Sequence, residues 1–93
     1  MRRGVELLMM LHTINKPKAL LSCNQLIKDS DSVLLLEDGV YLANEPIPGI
    51  VYALKTDVEA RGFKILERRK IKLIDYKEFV ELSCRADKVC AWF

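Results

Sequence analysis

Short runs of branched apolar residues alternate along this chain with amphipathic stretches and polar turns. Leu7–Ile14 reads as a strand, ended by Asn15-Lys16-Pro17. Pro17 suits the first turn of a helix, where its missing N–H is no loss. Lys18–Lys28 places Ala19, Leu20, Cys23, Leu26 and Ile27 at helical spacing, and Asp29–Ser32 is a turn cluster. Val33–Leu36 is apolar at every position, the pattern of a strand buried on both faces. Glu37-Asp38-Gly39 stops it, Val40–Asn44 reads as a short helical stretch, and Pro46 and Pro48 end that.

Ile50–Leu54 is a third buried strand. Thr56 is the expected cap of the next helix, with Asp57 and Glu59 in its first turn and Gly62 at its end. Phe63–Lys70 is a charged connector, and Ile71–Ile74 a fourth strand. Asp75 followed by Glu78 forms a capping-box pair for a last helix that fades near Arg85–Lys88. Val89–Phe93 is a short apolar tail with the composition of a fifth, edge strand. The resulting β-α-β-α order implies right-handed crossovers and an α/β fold with a mostly parallel sheet of four to five strands. Function in such sheets gathers at the carboxyl ends of the strands. Here those ends are Asn15-Lys16, Glu37-Asp38-Gly39, Lys55-Thr56 and Asp75-Tyr76.

Composition narrows the classes. At 93 residues, 51% hydrophobic and 30% charged, the chain has the make-up of a single globular domain over residues 1–93. Its longest apolar runs, Leu7–Leu11 and Ile50–Leu54 among them, are five residues, against the ~20 that a membrane-spanning helix needs. A net charge of +2 does not by itself imply nucleic acid or an acidic membrane surface. Arg2 and Arg3 before Leu7–Leu11 imitate a signal peptide, but Glu6 interrupts the apolar stretch and no small-x-small site follows His12. The expected location is therefore cytoplasmic.

Candidate chemistry is sparse. The three cysteines, Cys23, Cys84 and Cys90, form no CxxC, and His12 is the only histidine, so neither a disulfide framework nor a metal site is expected. The four glycines are isolated, so no phosphate-binding loop occurs, and no cofactor is expected. Cys23 is the thiol of most interest, because Lys16 and Lys18 precede it in a turn that leads into a helix, and cations or a helix N-terminus lower a thiol's pKa. Its place on the apolar stripe with Leu20 and Ile27 reads equally as inert packing. His12, inside a strand, reads as a hydrogen-bonded core residue more readily than as a base. Asp38 and Gly39 read as a structural strand-end turn, Asp38 capping and Gly39 supplying backbone freedom, rather than as half of a metal site. Lys64, Arg68, Arg69, Lys70 and Lys72 read as a solvated connector. The terminal aromatics Trp92 and Phe93 suggest docking, on the chain's own sheet or on a partner.

Four segments together resemble one family: Leu11–Lys16 (LHTINK), Asp31–Tyr41 (DSVLLLEDGVY), Val51–Gly62 (VYALKTDVEARG), and Ile74–Leu82 with Asp87–Trp92 (IDYKEFVEL, DKVCAW). Their order and spacing are similar to the DsrH/TusB family of sulfur-relay proteins, over about Met10 to Phe93. The family pattern starts near Met10, which marks residues 1–9 as an extension or a misassigned start.

The resemblance implies a DsrE-like three-layer α/β/α sandwich and a small cytoplasmic subunit. Its implied partners are TusC/DsrF-like and TusD/DsrE-like subunits, with a TusE/DsrC-like protein as sulfur acceptor and neither membrane nor nucleic acid bound directly. In the TusBCD branch such a complex passes persulfide sulfur toward 2-thiolation of the tRNA wobble uridine; in the Dsr (DsrEFH) branch it serves sulfur oxidation. The principal sulfur-accepting cysteine of these complexes lies on the TusD/DsrE-like subunit. Members of the DsrH type carry a cysteine in the first helix where Cys23 stands, which makes Cys23 the candidate persulfide carrier of a sulfurtransferase subunit, with Lys16 and Lys18 as thiolate-supporting candidates. The alternatives are a non-catalytic scaffold subunit and a stand-alone homo-oligomer binding a small ligand at the strand ends.

Overall fold

A computed structural model describes residues 9–93. The strands are β1 (Met10–Ile14), β2 (Ser32–Leu35), β3 (Ile50–Leu54), β4 (Lys72–Ile74) and β5 (Lys88–Trp92). The helices are α1 (Ala19–Cys23), α2 (Lys55–Ala60) and α3 (Tyr76–Arg85), with 3₁₀ segments at Asn24–Leu26 and Glu37–Asn44. The sheet order is β4-β3-β2-β1-β5, and every pairing is parallel. The tail strand thus exists, and it pairs with the first strand in the chain: His12 lies opposite Cys90 and Ile14 opposite Trp92. The part of the expected first strand before Met9 falls outside the described residues.

Alternating side chains divide the core in two. Ile14, Val33, Leu35, Val51 and Ala53 point to one face and pack with Ala19, Cys23 and Ile27, with Val40 and Ala43 of the second 3₁₀ segment, and with Val58 of α2. Leu11, Leu34 and Ile74 point to the other and pack with Leu82 of α3. These are the three expected layers, α/β/α.

Three local expectations change. The helix expected over Lys18–Lys28 is shorter: α1 ends at Cys23, a 3₁₀ turn follows, and Ile27 is extended (φ −87°, ψ 123°). The sequence around α1 has no side-chain cap and no acidic residue in the first turn, so little holds a longer helix together. Thr56 does not cap α2; β3 runs straight into it, with Leu54 in the cap position. Asp38 does not cap either, since Leu36 precedes the 3₁₀ segment and no side chain caps it. By contrast, Asp75 and Glu78 form the expected capping box: Asp75 Oδ1 accepts the Glu78 N–H at 2.7 Å and Glu78 Oε1 accepts the Asp75 N–H at 3.1 Å. Gly62 follows α2 with φ 57°, the left-handed conformation that closes helices.

Candidate functional site

At the carboxyl ends of the strands the chain makes a tight, charged turn. Glu37 adopts φ 51°, and its N–H donates to Asp57 Oδ2 at 2.6 Å. Arg61 Nε donates to Asp38 Oδ1 at 2.9 Å, and Nη1 to the Asp57 carbonyl at 3.2 Å. The hydrogen bond from Arg61 to Asp38 raises the guanidinium above its ordinary pKa, helped by the charges of Asp38 and Asp57. The positive backbone angle therefore belongs to Glu37, not to Gly39. Gly39 is required for another reason: a Cβ there would stand 2.0 Å from the Ile14 carbonyl oxygen. The turn ties the ends of β1 and β2 to α2, and Arg61 and Asp38 pair with each other across it.

Cys23 lies beneath this layer with 0% exposure, among the core residues of the first face. Burial pushes its thiol up from the ordinary value, partly offset by a backbone hydrogen bond of Cys23. It is the last residue of α1, at the end of the helix whose carbonyls disfavour a thiolate, and not near the N-terminus as the turn at Pro17 suggests. Lys16 and Lys18 are exposed, and among the described residues no hydrogen bond or ion pair joins them to Cys23. The structure therefore does not bring the three together. Cys84 is exposed on α3, and Cys90 is half-buried on β5. Among the described residues no group of three or more His, Cys, Asp or Glu side chains could hold a metal ion.

A second constellation is buried at the centre of the sheet. His12 and Asp31 are 1% and 2% exposed. His12 Nε2 is 2.9 Å from Asp31 Oδ2, and the Trp92 indole Nε1 donates to His12 Nδ1 at 3.1 Å. Asp31 Oδ2 also accepts the Lys28 N–H at 3.0 Å, and the Asp31 carbonyl accepts the Ile50 N–H at 2.8 Å. Burial works against the Asp31 charge, but the hydrogen bonds from Lys28 N–H and His12, with the charges of His12 and Lys28, outweigh it and hold the carboxyl below its ordinary value. The hydrogen-bonded core reading of His12 is thus what the structure shows, and Trp92 docks on the chain's own sheet while Phe93 remains 80% exposed. Sequence reasoning did not link these residues, which stand 19 and 80 positions apart. The one available signal was a lone histidine in a buried strand beside a buried strand that opens with an aspartate.

A groove of about 730 Å³ lies at the opposite, amino ends of β3 and β4, between Glu45–Ile50 and Arg68–Ile71. Among the described residues no helix is long and apolar enough to cross a membrane.

Comparison with known proteins agrees with the architecture. Residues 15–89 match the family described as DsrH like protein. The proteins named Protein TusB from Salmonella arizonae and Salmonella newport are 38% identical over 77 residues, covering 73% of this chain and 81% of theirs. The solution structure of protein Tm0979 from Thermotoga maritima superposes with a TM-score of 0.60 at 34% identity, covering 81% of this chain and 91% of that one. The crystal structure of the ychN protein from E. coli gives 0.63 at 16% identity, covering 92% and 99%, a likeness of fold alone. The chain belongs to the DsrH/TusB family of sulfur-relay subunits.

Proposed function

We propose that this chain is a cytoplasmic subunit of a sulfur-relay complex serving 2-thiolation of the tRNA wobble uridine, and that it contributes docking surface rather than a sulfur-carrying thiol. The observation that carries the second half is the burial of Cys23, which has no exposed surface and a thiol pushed up by desolvation. Attack on a donor persulfide needs an accessible thiolate, and this environment supplies neither access nor charge. The likeness to proteins named TusB supports the thiolation branch over sulfur oxidation. Its partners in this reading are TusC/DsrF-like and TusD/DsrE-like subunits, and sulfur leaves through a TusE/DsrC-like acceptor without passing through Cys23.

The competing reading, Cys23 as persulfide carrier supported by Lys16 and Lys18, requires α1 to open. One experiment separates the two. The chain is incubated with the partner subunits, a cysteine desulfurase and free cysteine, and its intact mass is read under non-reducing conditions beside Cys23→Ser. The expected result is a stable complex with the two partners and no Cys23-dependent added sulfur on this chain. A mass increase of one or more sulfur atoms that disappears in Cys23→Ser overturns the docking-subunit reading in favour of the carrier. Failure to associate with the two partner subunits overturns both.

A further inference from the structure

The buried histidine has a defined proton. An indole N–H can only donate, so His12 Nδ1 must accept from Trp92. The single ring proton of the neutral imidazole therefore sits on Nε2 and is donated to Asp31 Oδ2. Asp31 is itself fixed, by the Lys28 N–H on its carboxylate and by the Ile50 N–H on its carbonyl. Trp92, in contrast, belongs to β5, the strand at one end of the described sheet, which pairs with β1 alone among the described strands. Beyond the ladder itself, the indole N–H on His12 ties the end of that strand to the interior, with the two rings stacked at 22° and 6.3 Å.

We propose that His12 is a proton-operated latch for the C-terminal strand: the neutral ring holds Trp92, and a second proton, arriving on Nδ1, sets two donors face to face and releases β5. The incoming charge has a counter-ion in place, because Asp31 lies 2.9 Å from the other ring nitrogen. Proton uptake thus completes a buried ion pair on one side of the ring while breaking the hydrogen bond on the other. The groups facing His12 are few. From the residue just before β2 comes Asp31, with uncharged Val33 of β2 in register. From β5 come Cys90 in register and Trp92, with Lys88 further along the strand opposite Met10. Beyond Asp31 lies Lys28, whose backbone N–H and charge act on that carboxylate. None of these except the indole N–H is a donor aimed at Nδ1. The inference does not depend on the relay reading, and it concerns the surface that any neighbouring subunit would meet at β5.

The test uses the full chain alone, so its outcome is independent of whether the partner subunits bind. Long-range ¹H–¹⁵N spectra of the single histidine report its tautomer, and amide hydrogen exchange, corrected for the intrinsic effect of pH, reports protection along each strand. Both are followed from pH 8 to 5, the range in which imidazoles change charge. The expected result is the Nε2–H tautomer at pH 8, and protection in Lys88–Trp92 that falls by about tenfold toward pH 5 while β2 and β3 hold, the size expected for one net hydrogen bond. Trp92→Phe keeps an aromatic ring and removes the donor; its β5 protection is expected to be low already at pH 8 and flat to pH 5. An Nδ1–H tautomer at pH 8, flat β5 protection in the wild type, or an undiminished pH response in Trp92→Phe would each overturn the latch.

Discussion

On one face of the sheet Ile14, Val33, Leu35, Val51 and Ala53 lie under α1, α2 and the Glu37–Asn44 segment; on the other, among the described residues, Leu11, Leu34 and Ile74 meet a single helix, α3, through Leu82. The first face is filled from several directions, and it also contains the buried carboxylate of Asp31. The second rests on one amphipathic helix whose Tyr76 and Val80 remain exposed. The difference teaches that the rigid turn and the buried ionisable pair gather on the same side of this small fold. The thickly covered side carries both the strand-end turn and the ionisable pair, and the thinly covered side carries neither.

The strongest way to break this comparison is to empty one site on each face. Leu35→Ala is expected to cost about 3–5 kcal/mol, since its surroundings are held in place and leave a cavity. Leu82→Ala is expected near the lower end of the same range, about 2–3 kcal/mol, because α3 can settle toward the sheet. Denaturant unfolding of both variants measures this, and an equal or larger cost for Leu82→Ala would show that the faces are equivalent. Gly39→Ala follows, at about 1–3 kcal/mol, because its Cβ meets backbone rather than a side chain that can turn away.

Acid sharpens the comparison further. Asp31 has a lowered folded-state pKa, so its contribution is fully present above the ordinary aspartate value and is lost as pH falls through the folded value. Stability of the wild type is expected to drop below about pH 4, the unfolded reference for aspartate, and Asp31→Asn is expected to be less stable at neutral pH with a flatter decline. Equal acid slopes in the two proteins, read from urea midpoints at pH 2.5 to 6, would remove Asp31 as the cause. The smallest effect expected is on the thin face: Asp75→Ala loses the capping box of α3 and about 1 kcal/mol, measurable as a lower urea midpoint with an unchanged slope.

Much of this fold was legible because its strands are short branched apolar runs with abrupt polar ends. Val33–Leu36 and Ile50–Leu54 are read within a residue of β2 and β3, and the capping box at Asp75 and Glu78 is local chemistry that distance cannot disturb. What failed was decided by partners elsewhere in the chain. Helical spacing over Lys18–Lys28 gives way because the segment after Cys23 must turn, and the Lys28 N–H then meets Asp31. Asp57 does stand in the first turn of α2, but the partner of its carboxylate, the N–H of Glu37 20 residues upstream, is set by the fold. Cys23 was placed on the apolar stripe correctly, but which end of the helix it would occupy depended on where that helix stops. His12 was legible as a hydrogen-bonded core residue, but its pairing with Asp31 and Trp92 was not, since only the strand order puts those three residues on one face.

That strand order also governs the birth of the molecule. Of the described strands, β1 emerges first from a ribosome and β5 last, yet the two are neighbours, with Trp92 reaching His12 across 80 positions. While translation is under way, one edge of β1 has no β5 to pair with, and the buried histidine lacks its acceptor's donor. Contacts between chain ends are slow to form because the whole intervening loop must be ordered first. A chain lacking Lys88–Trp92 would have the four other described strands and the three described helices, and would still lack the indole that His12 accepts from.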